Sequence, residues 1–411
     1  IGVEKSAKVW LIIGLFFALF SILTRQIGVV IPFAFLVVSF FHPSGREIRK
    51  KRILLYVVSI VLIPWVGYEY YLYCTGSTPL TQHQVVHEIF RKPAAKGLLD
   101  YLVYLYTQAF HIGLVYVGFL ISPALALVHK NFSYRRAYRV FFVVATFVLV
   151  LFEIALLTGL IETPVRFLRN VIYNFGIGPV LLKDVYILGI ARTWTIDPAF
   201  YYLLIYWGVL SGVGLLVLIA DFIEKIVHSV REGNGASFDF LSGFALLAAL
   251  AYFGMILLTG FHDRYLIPVC AFLTIWLFSK SCSPCHDSLG VGWLLPGLVP
   301  LVFMAIFSIG ATHDFMDTKR SLKLAQDYLI YEKRIEPCNF DGGLEFNGYH
   351  CYRPEFQPEE GLSWWWVNKE EYLLALGHLP GYRVDKTFPF TRYLGPPGEV
   401  FVLSKGAPPT P

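Results

Sequence analysis

Phe261-His262-Asp263-Arg264-Tyr265-Leu266-Ile267-Pro268 stands between two apolar runs, Leu241 to Leu258 and Leu266 to Phe278. Three consecutive ionisable side chains at the edge of segments of membrane length are costly to place, which makes them a functional-site candidate by default. Thr24-Arg25-Gln26 interrupts the apolar N-terminal region in the same way. Both interruptions fall between apolar segments, so the stretch sets the fold class: an all-α polytopic membrane protein with its ionisable groups gathered in the connections.

Composition agrees. Of 411 residues 56 % are hydrophobic and 15 % charged, against roughly 25 % charged in soluble domains. The net charge of +5 is small for this length. No basic tract is interleaved with exposed aromatics, which sets nucleic-acid binding aside.

About nine transmembrane helices are expected, near 8–23, 27–42, 53–73, 101–128, 137–160, 200–222, 240–260, 265–279 and 291–310, from the length a bilayer demands. Arg46, Arg49, Lys50, Lys51 and Arg52 face one acid, Glu47, in the loop 43–52, and Lys130, Arg135, Arg136 and Arg139 face none in 129–139. Basic loops stay on the cytoplasmic side. Counting spans from there puts Thr24-Arg25-Gln26, the loops 74–100 and 161–199, the His262-Asp263-Arg264 turn and the tail on the outer side. The expected domains are therefore 1–310, membrane-embedded with those two external loops, and 311–411, a small α+β extracytoplasmic domain.

Gln82 to Arg91 reads as a short helix, and Pro164 to Phe175 as an amphipathic one. The latter suits either the plane of the bilayer surface or an ordinary connection. Asp314 to Arg334 reads as helix, and the remaining tail as turns and short strands, including Asp341 to Gly348 and Glu399 to Leu403. Trp364-Trp365-Trp366 is expected to fill that domain's core or anchor it at an interface rather than to stack on sugars. Cys338 and Cys351 suit a disulfide if the tail is extracytoplasmic. Cys282-x-x-Cys285-His286 has metal or haem spacing but no second ligand pair, and reads as a short loop.

Arg25 and Arg264 each offer a guanidinium that grips a phosphate with two parallel hydrogen bonds; singly, either would read as a snorkelling or ion-paired side chain. Asp263, beside Arg264, suits a salt bridge better than proton donation. Glu69 and Glu153 are carboxylates within or near spans with no obvious local partner. His83 and His87 share one helical face, with Glu88 next to them, but two ligands do not make a metal site.

Leu23-Thr24-Arg25-Gln26 and Asp263-Arg264-Tyr265-Leu266-Ile267-Pro268 resemble motifs of the GT-C superfamily of integral membrane glycosyltransferases, in the bacterial branches near protein O-mannosyltransferases and aminoarabinose transferases. The resemblance extends to the order of spans, external loops and outer C-terminal domain. It implies a multi-pass protein of the bacterial inner membrane that moves a sugar from a polyprenyl-phosphate donor to a protein, lipid or glycan acceptor on the outer face. Arg25, Arg264 and Tyr265 would bind the lipid phosphate. His262 and Asp263 would be catalytic candidates, and Glu69, His83, His87, Glu88 and Glu153 would line the substrate cavity. It calls for no cofactor, while leaving room for a divalent metal.

The family's catalytic base lies in an early external loop, and no such acid precedes Arg25; Glu4 is on the inner side. The sequence, opening on Ile1, reads as though it starts partway into a longer chain that carries the base. Otherwise the base would be recruited from Glu69, Glu88 or Asp263. Three other classes compete. A flippase or transporter of lipid-linked sugars would spread charge along a path through the membrane, and an O-antigen polymerase or ligase would lack the Arg-Tyr-Leu-x-Pro turn between late spans. A non-enzymatic scaffold with an external binding domain would leave the paired arginines unexplained.

Overall fold

The structure is a computed structural model that describes residues 8–24, 26–41, 47–76, 97–128, 198–231, 239–259, 265–281, 295–353 and 355–405, with short pieces between 143 and 184. It divides into two compact units, one of residues 1–163 and 204–300, the other of 164–203 and 301–411.

The first unit is helical. Its elements are α1 (Lys8–Thr24), a 3-10 turn (Gln26–Val29) leading into α2 (Val30–Phe41), α3 (Glu47–Val57), α4 (Ile63–Cys74), α5 (Leu98–Gln108), α6 (Gly118–Val128), most of α7 (Pro198–Arg231), α8 (Phe240–Thr259) and α9 (Leu266–Ser281). A π-helical turn, Val58–Leu62, joins α3 to α4. Pro64 follows it at the start of α4, where a proline removes a backbone donor and pushes away the carbonyl four residues back, widening the helix. Helix α8 is capped by Asp239, whose carboxylate accepts the Ser242 N–H at 2.8 Å.

Four described segments are long and apolar enough to cross a membrane: Arg52–Cys74, Tyr206–His228, Phe240–Leu258 and Gly297–Glu332. Shorter apolar helices cover Val9–Thr24, Ile27–Phe41, Val115–Val128 and Leu266–Ser279. The expected span 137–160 lies largely outside the described residues.

Small residues set the closest helix crossing. A Cβ on Gly118 would stand 2.1 Å from the Gly208 carbonyl oxygen and 2.5 Å from the Gly212 nitrogen. Gly208 and Gly212 are one turn apart on α7, so the backbones of α6 and α7 meet without side chains between them, a device favoured where lipid supplies no hydrophobic drive. Helices α2 and α9 both contact α8: Phe35 lies edge-on to Phe240 and Phe244, and Phe244 to Phe272. The hydroxyls of Ser242 and Ser279 meet at 2.6 Å and fix α8 antiparallel to α9.

The second unit carries most of α10 (Leu295–Asp327), which continues as a π-helical turn to Glu332. The last expected span and the helix expected after it are thus one element. Beyond it lie β3 (Phe340–Asp341), α11 (Leu344–Cys351), β4 (Tyr372–Ala375), β5 (Tyr382–Phe390) and β6 (Gly398–Lys405). The sheet order is β3-β4-β6-β5, with β3 parallel to β4 and the other pairs antiparallel. Alternation along the strands puts Leu374, Val400 and Val402 on one face with Leu181, Leu329, Phe340 and Phe346. Leu373, Ala375, Leu379 and Leu403 cluster together on their own.

Two sequence expectations change here. Leu344–Cys351, read as turn and strand, is helix, because Gly343 at φ 92° turns the chain into it and Phe346 anchors it in the core. Cys351, at its end, is bridged to Cys338, with Cα atoms 5.6 Å apart. Within the stretch expected to be an amphipathic helix, Ile172–Tyr173 is a strand (β1) paired antiparallel with Gly176–Ile177 (β2); β-branched and aromatic residues favour the extended form.

Candidate functional site

Of the expected site residues, Arg25, His83, His87, Glu88, Glu153, His262, Asp263 and Arg264 lie outside the described residues, as does Cys282-x-x-Cys285-His286. Two can be placed. Tyr265, half-buried, immediately precedes α9. Glu69 lies on α4 and accepts a hydrogen bond at 3.1 Å from Trp65 Nε1, so it has the local partner that the sequence reading did not find.

A different set of ionisable groups converges inside the second unit. It consists of Lys183 and Asp184 from the 164–203 segment, Asp341 at the end of β3, Glu370 before β4 and Tyr382 at the start of β5. Asp184 and Glu370 are wholly buried and Asp341 nearly so. Both Asp184 oxygens accept the Leu376 N–H, at 3.0 and 2.9 Å. Asp341 Oδ1 accepts the Gly343 N–H at 3.0 Å and Asn347 Nδ2 at 2.8 Å, while Asn347 Oδ1 accepts the Gly342 N–H. Together these bonds shape the entry to α11.

Lys183 holds the same segment down. Its ammonium donates to the Gly361 carbonyl at 3.2 Å and stands 3.4 Å from Glu370 Oε1, an ion pair without an aligned hydrogen bond. Glu370 itself has φ 50°, a left-handed conformation that costs a non-glycine residue about 1 kcal/mol or more. Leu181, two residues before Lys183, belongs to the apolar core. The 181–184 segment is therefore a strap sealed into the sheet domain.

The electrostatics follow from burial. Burial pushes the Asp184 carboxyl up to about 7, with the Leu376 N–H opposing and the Asp341 charge assisting. Burial also raises Glu370, against the pull of Lys183, and raises Tyr382, assisted by the Glu370 and Asp341 charges. Such a cluster holds a proton near neutrality while closed to solvent. Among the described residues no three His, Cys, Asp or Glu side chains are placed to hold a metal ion.

Trp366, at φ 63°, lies edge-on to Tyr352 with centroids 5.1 Å apart; this part of the Trp364-Trp365-Trp366 string packs within the domain. Compared with known proteins, the chain matches no family model, no curated protein and no solved structure at a significant level.

Sequence reasoning missed the Lys183–Asp184–Asp341–Glu370 cluster. The one available signal was Lys183-Asp184, a charged pair in an otherwise apolar stretch. Nothing in the spacing of the cluster's residues says that they meet.

Proposed function

We propose that the chain is a nine-span GT-C-type membrane glycosyltransferase of the bacterial inner membrane, moving a sugar from a polyprenyl-phosphate donor to an acceptor on the outer face. The observation that carries the reading is the position of the two arginines between helices. Arg25 follows the end of α1 and precedes the turn into α2; Arg264 precedes α9. Helices α2 and α9 pack on the same helix, α8. If the basic loop 43–52 is cytoplasmic, α2 runs inward from the outer face. Helix α9, antiparallel to an outward-running α8, does the same.

In this mechanism Arg25 and Arg264 stabilise the charge that develops on the departing lipid phosphate, without reorganising to do so. A carboxylate removes the acceptor's proton as it attacks. The Cys338–Cys351 bridge supports an extracytoplasmic tail, since disulfides persist in oxidising compartments.

The test is transfer of radiolabel from polyprenyl-phosphate sugars in membranes containing the protein, with Arg25→Ala and Arg264→Ala alongside. Transfer lost in both variants at unchanged membrane levels is expected. Transfer that survives both removes the clamp, and movement of the lipid between leaflets without transfer replaces the enzyme by a flippase.

A further inference from the structure

Helix α10 carries no charged residue from Leu295 to Ala311, roughly 26 Å at about 1.5 Å per residue, close to the thickness of a bilayer core. Its outward side chains there are apolar and exposed, Ile306 and Ile309 most of all at 64 % and 69 %. Ionisable groups begin at His313 and Asp314, so the helix leaves hydrocarbon near Gly310.

The loop joining β5 to β6 is clamped to α10 at that level. Asp314, 1 % exposed, accepts the Tyr393 N–H at 2.6 Å and the Leu394 N–H at 2.9 Å. Asp317 accepts both the N–H and the hydroxyl of Thr391, each at 2.7 Å. The His313 ring stacks on Tyr393 with centroids 3.7 Å apart. Leu394 lies against Gly310, where a Cβ would meet it at 3.0 Å. The Arg392 guanidinium rests on the Phe390 ring, 4.8 Å from its centroid. Tyr393 nevertheless remains 70 % exposed.

We infer that this loop is an interfacial anchor, holding Tyr393 and Leu394 in the lipid headgroup layer of the leaflet where α10 emerges. Three observations converge on a lipid surface as the partner. The loop is bonded to the turn of α10 where the apolar run ends. Tyr393, the exposed side chain of its Arg-Tyr-Leu sequence, is an amphipathic ring of the kind enriched at that depth. And the amides of 391, 393 and 394 are satisfied by Asp314 and Asp317, which lowers the cost of bringing this backbone close to lipid.

The test uses the full chain in phosphatidylcholine nanodiscs, with Cys74, Cys270, Cys282 and Cys285 replaced by serine and the disulfide kept. A nitroxide is placed in turn at Ile309→Cys, Pro396→Cys and Tyr349→Cys, the last on a side chain 85 % exposed on α11. Collision with oxygen and with a water-soluble nickel chelate then reports depth. The expected order of oxygen-to-nickel ratio is 309, then 396, then 349, with 396 several-fold above 349. Adding Asp314→Ala should drop the 396 ratio towards that of 349. A ratio at 396 equal to that at 349 overturns the inference. So does low collision with both reagents at 396, which would mean contact with protein instead of lipid.

Discussion

Replacing Asp184 with asparagine isolates the effect of burying a carboxyl that clamps a backbone amide. In the folded chain this group titrates at about 7, and its ordinary value is 3.8. Between those values the folded state keeps a proton that the unfolded state has released. Stability therefore falls as pH rises through that window, and the contribution is fully lost above about 7. The span corresponds to about 4 kcal/mol, at about 1.4 kcal/mol per pH unit. Asparagine keeps one oxygen for the Leu376 N–H and does not titrate. Its stability relative to the parent should improve by up to about 4 kcal/mol between pH 4 and pH 8. Glu370 is shifted in the same direction and Asp385 in the opposite one, but both are shared by the two proteins and cancel in the difference. Amide exchange of a peptide spanning 372–379, corrected for the intrinsic pH dependence of exchange, reads the opening free energy where the clamp acts. A difference that stays flat from pH 4 to pH 8 would refute the reasoning.

Other expectations follow from single contacts. Lys183→Met leaves Glu370 buried without its cation, which should cost about 3–5 kcal/mol and raise the Glu370 pKa further; the thermal midpoint and its pH dependence measure both. Removing the Cys338–Cys351 bridge by double serine substitution should cost about 3 kcal/mol, read as a lower midpoint that no longer responds to reductant. Gly118→Leu drives a side chain into the backbone of α7 and should part the two helices. A lower midpoint in detergent, with smaller loss for Gly118→Ala than for Leu, checks it. Phe340→Ala empties a fully buried site and should cost about 3–5 kcal/mol by denaturant unfolding.

The helical body was legible because apolar runs of membrane length need no tertiary information. The end of α1 at Thr24 and the opening of α9 at Leu266 fall where Arg25 and Arg264 interrupt the runs. The sheet was legible only in part. Glu399 to Leu403 alternates as a strand should, whereas Leu344–Cys351 is helical through a glycine turn, a disulfide and one core phenylalanine, none of which has a periodic signature. Glu69 looked unpartnered because a tryptophan four residues earlier is not an obvious donor. The strap at Leu181–Asp184 was illegible for a simpler reason: its partners lie more than a hundred residues away and include the backbone amide of Leu376, which any residue but proline would supply.

The same fact bears on where a catalytic base can be. Asp184, Asp314 and Asp341 are buried, and each accepts backbone amides of its own domain. Taking a proton from an acceptor would weaken those clamps, so these acids suit structure rather than turnover. Under the proposed reaction the base must come from another group, and Glu69, Glu88 and Asp263 are the candidates in this sequence. Glu69 accepts a side-chain donor, Trp65 Nε1, where the three clamping acids accept backbone amides. Asparagine at 184 or 314 should therefore lower stability or shift its pH profile while leaving the pH profile of transfer unmoved at matched folded protein. Under the same reading Glu69→Gln should reduce transfer when compared at matched folded protein. If Asp184→Asn instead moves the acidic limb of the transfer profile, the cluster takes part in the reaction and its assignment as a strap is wrong.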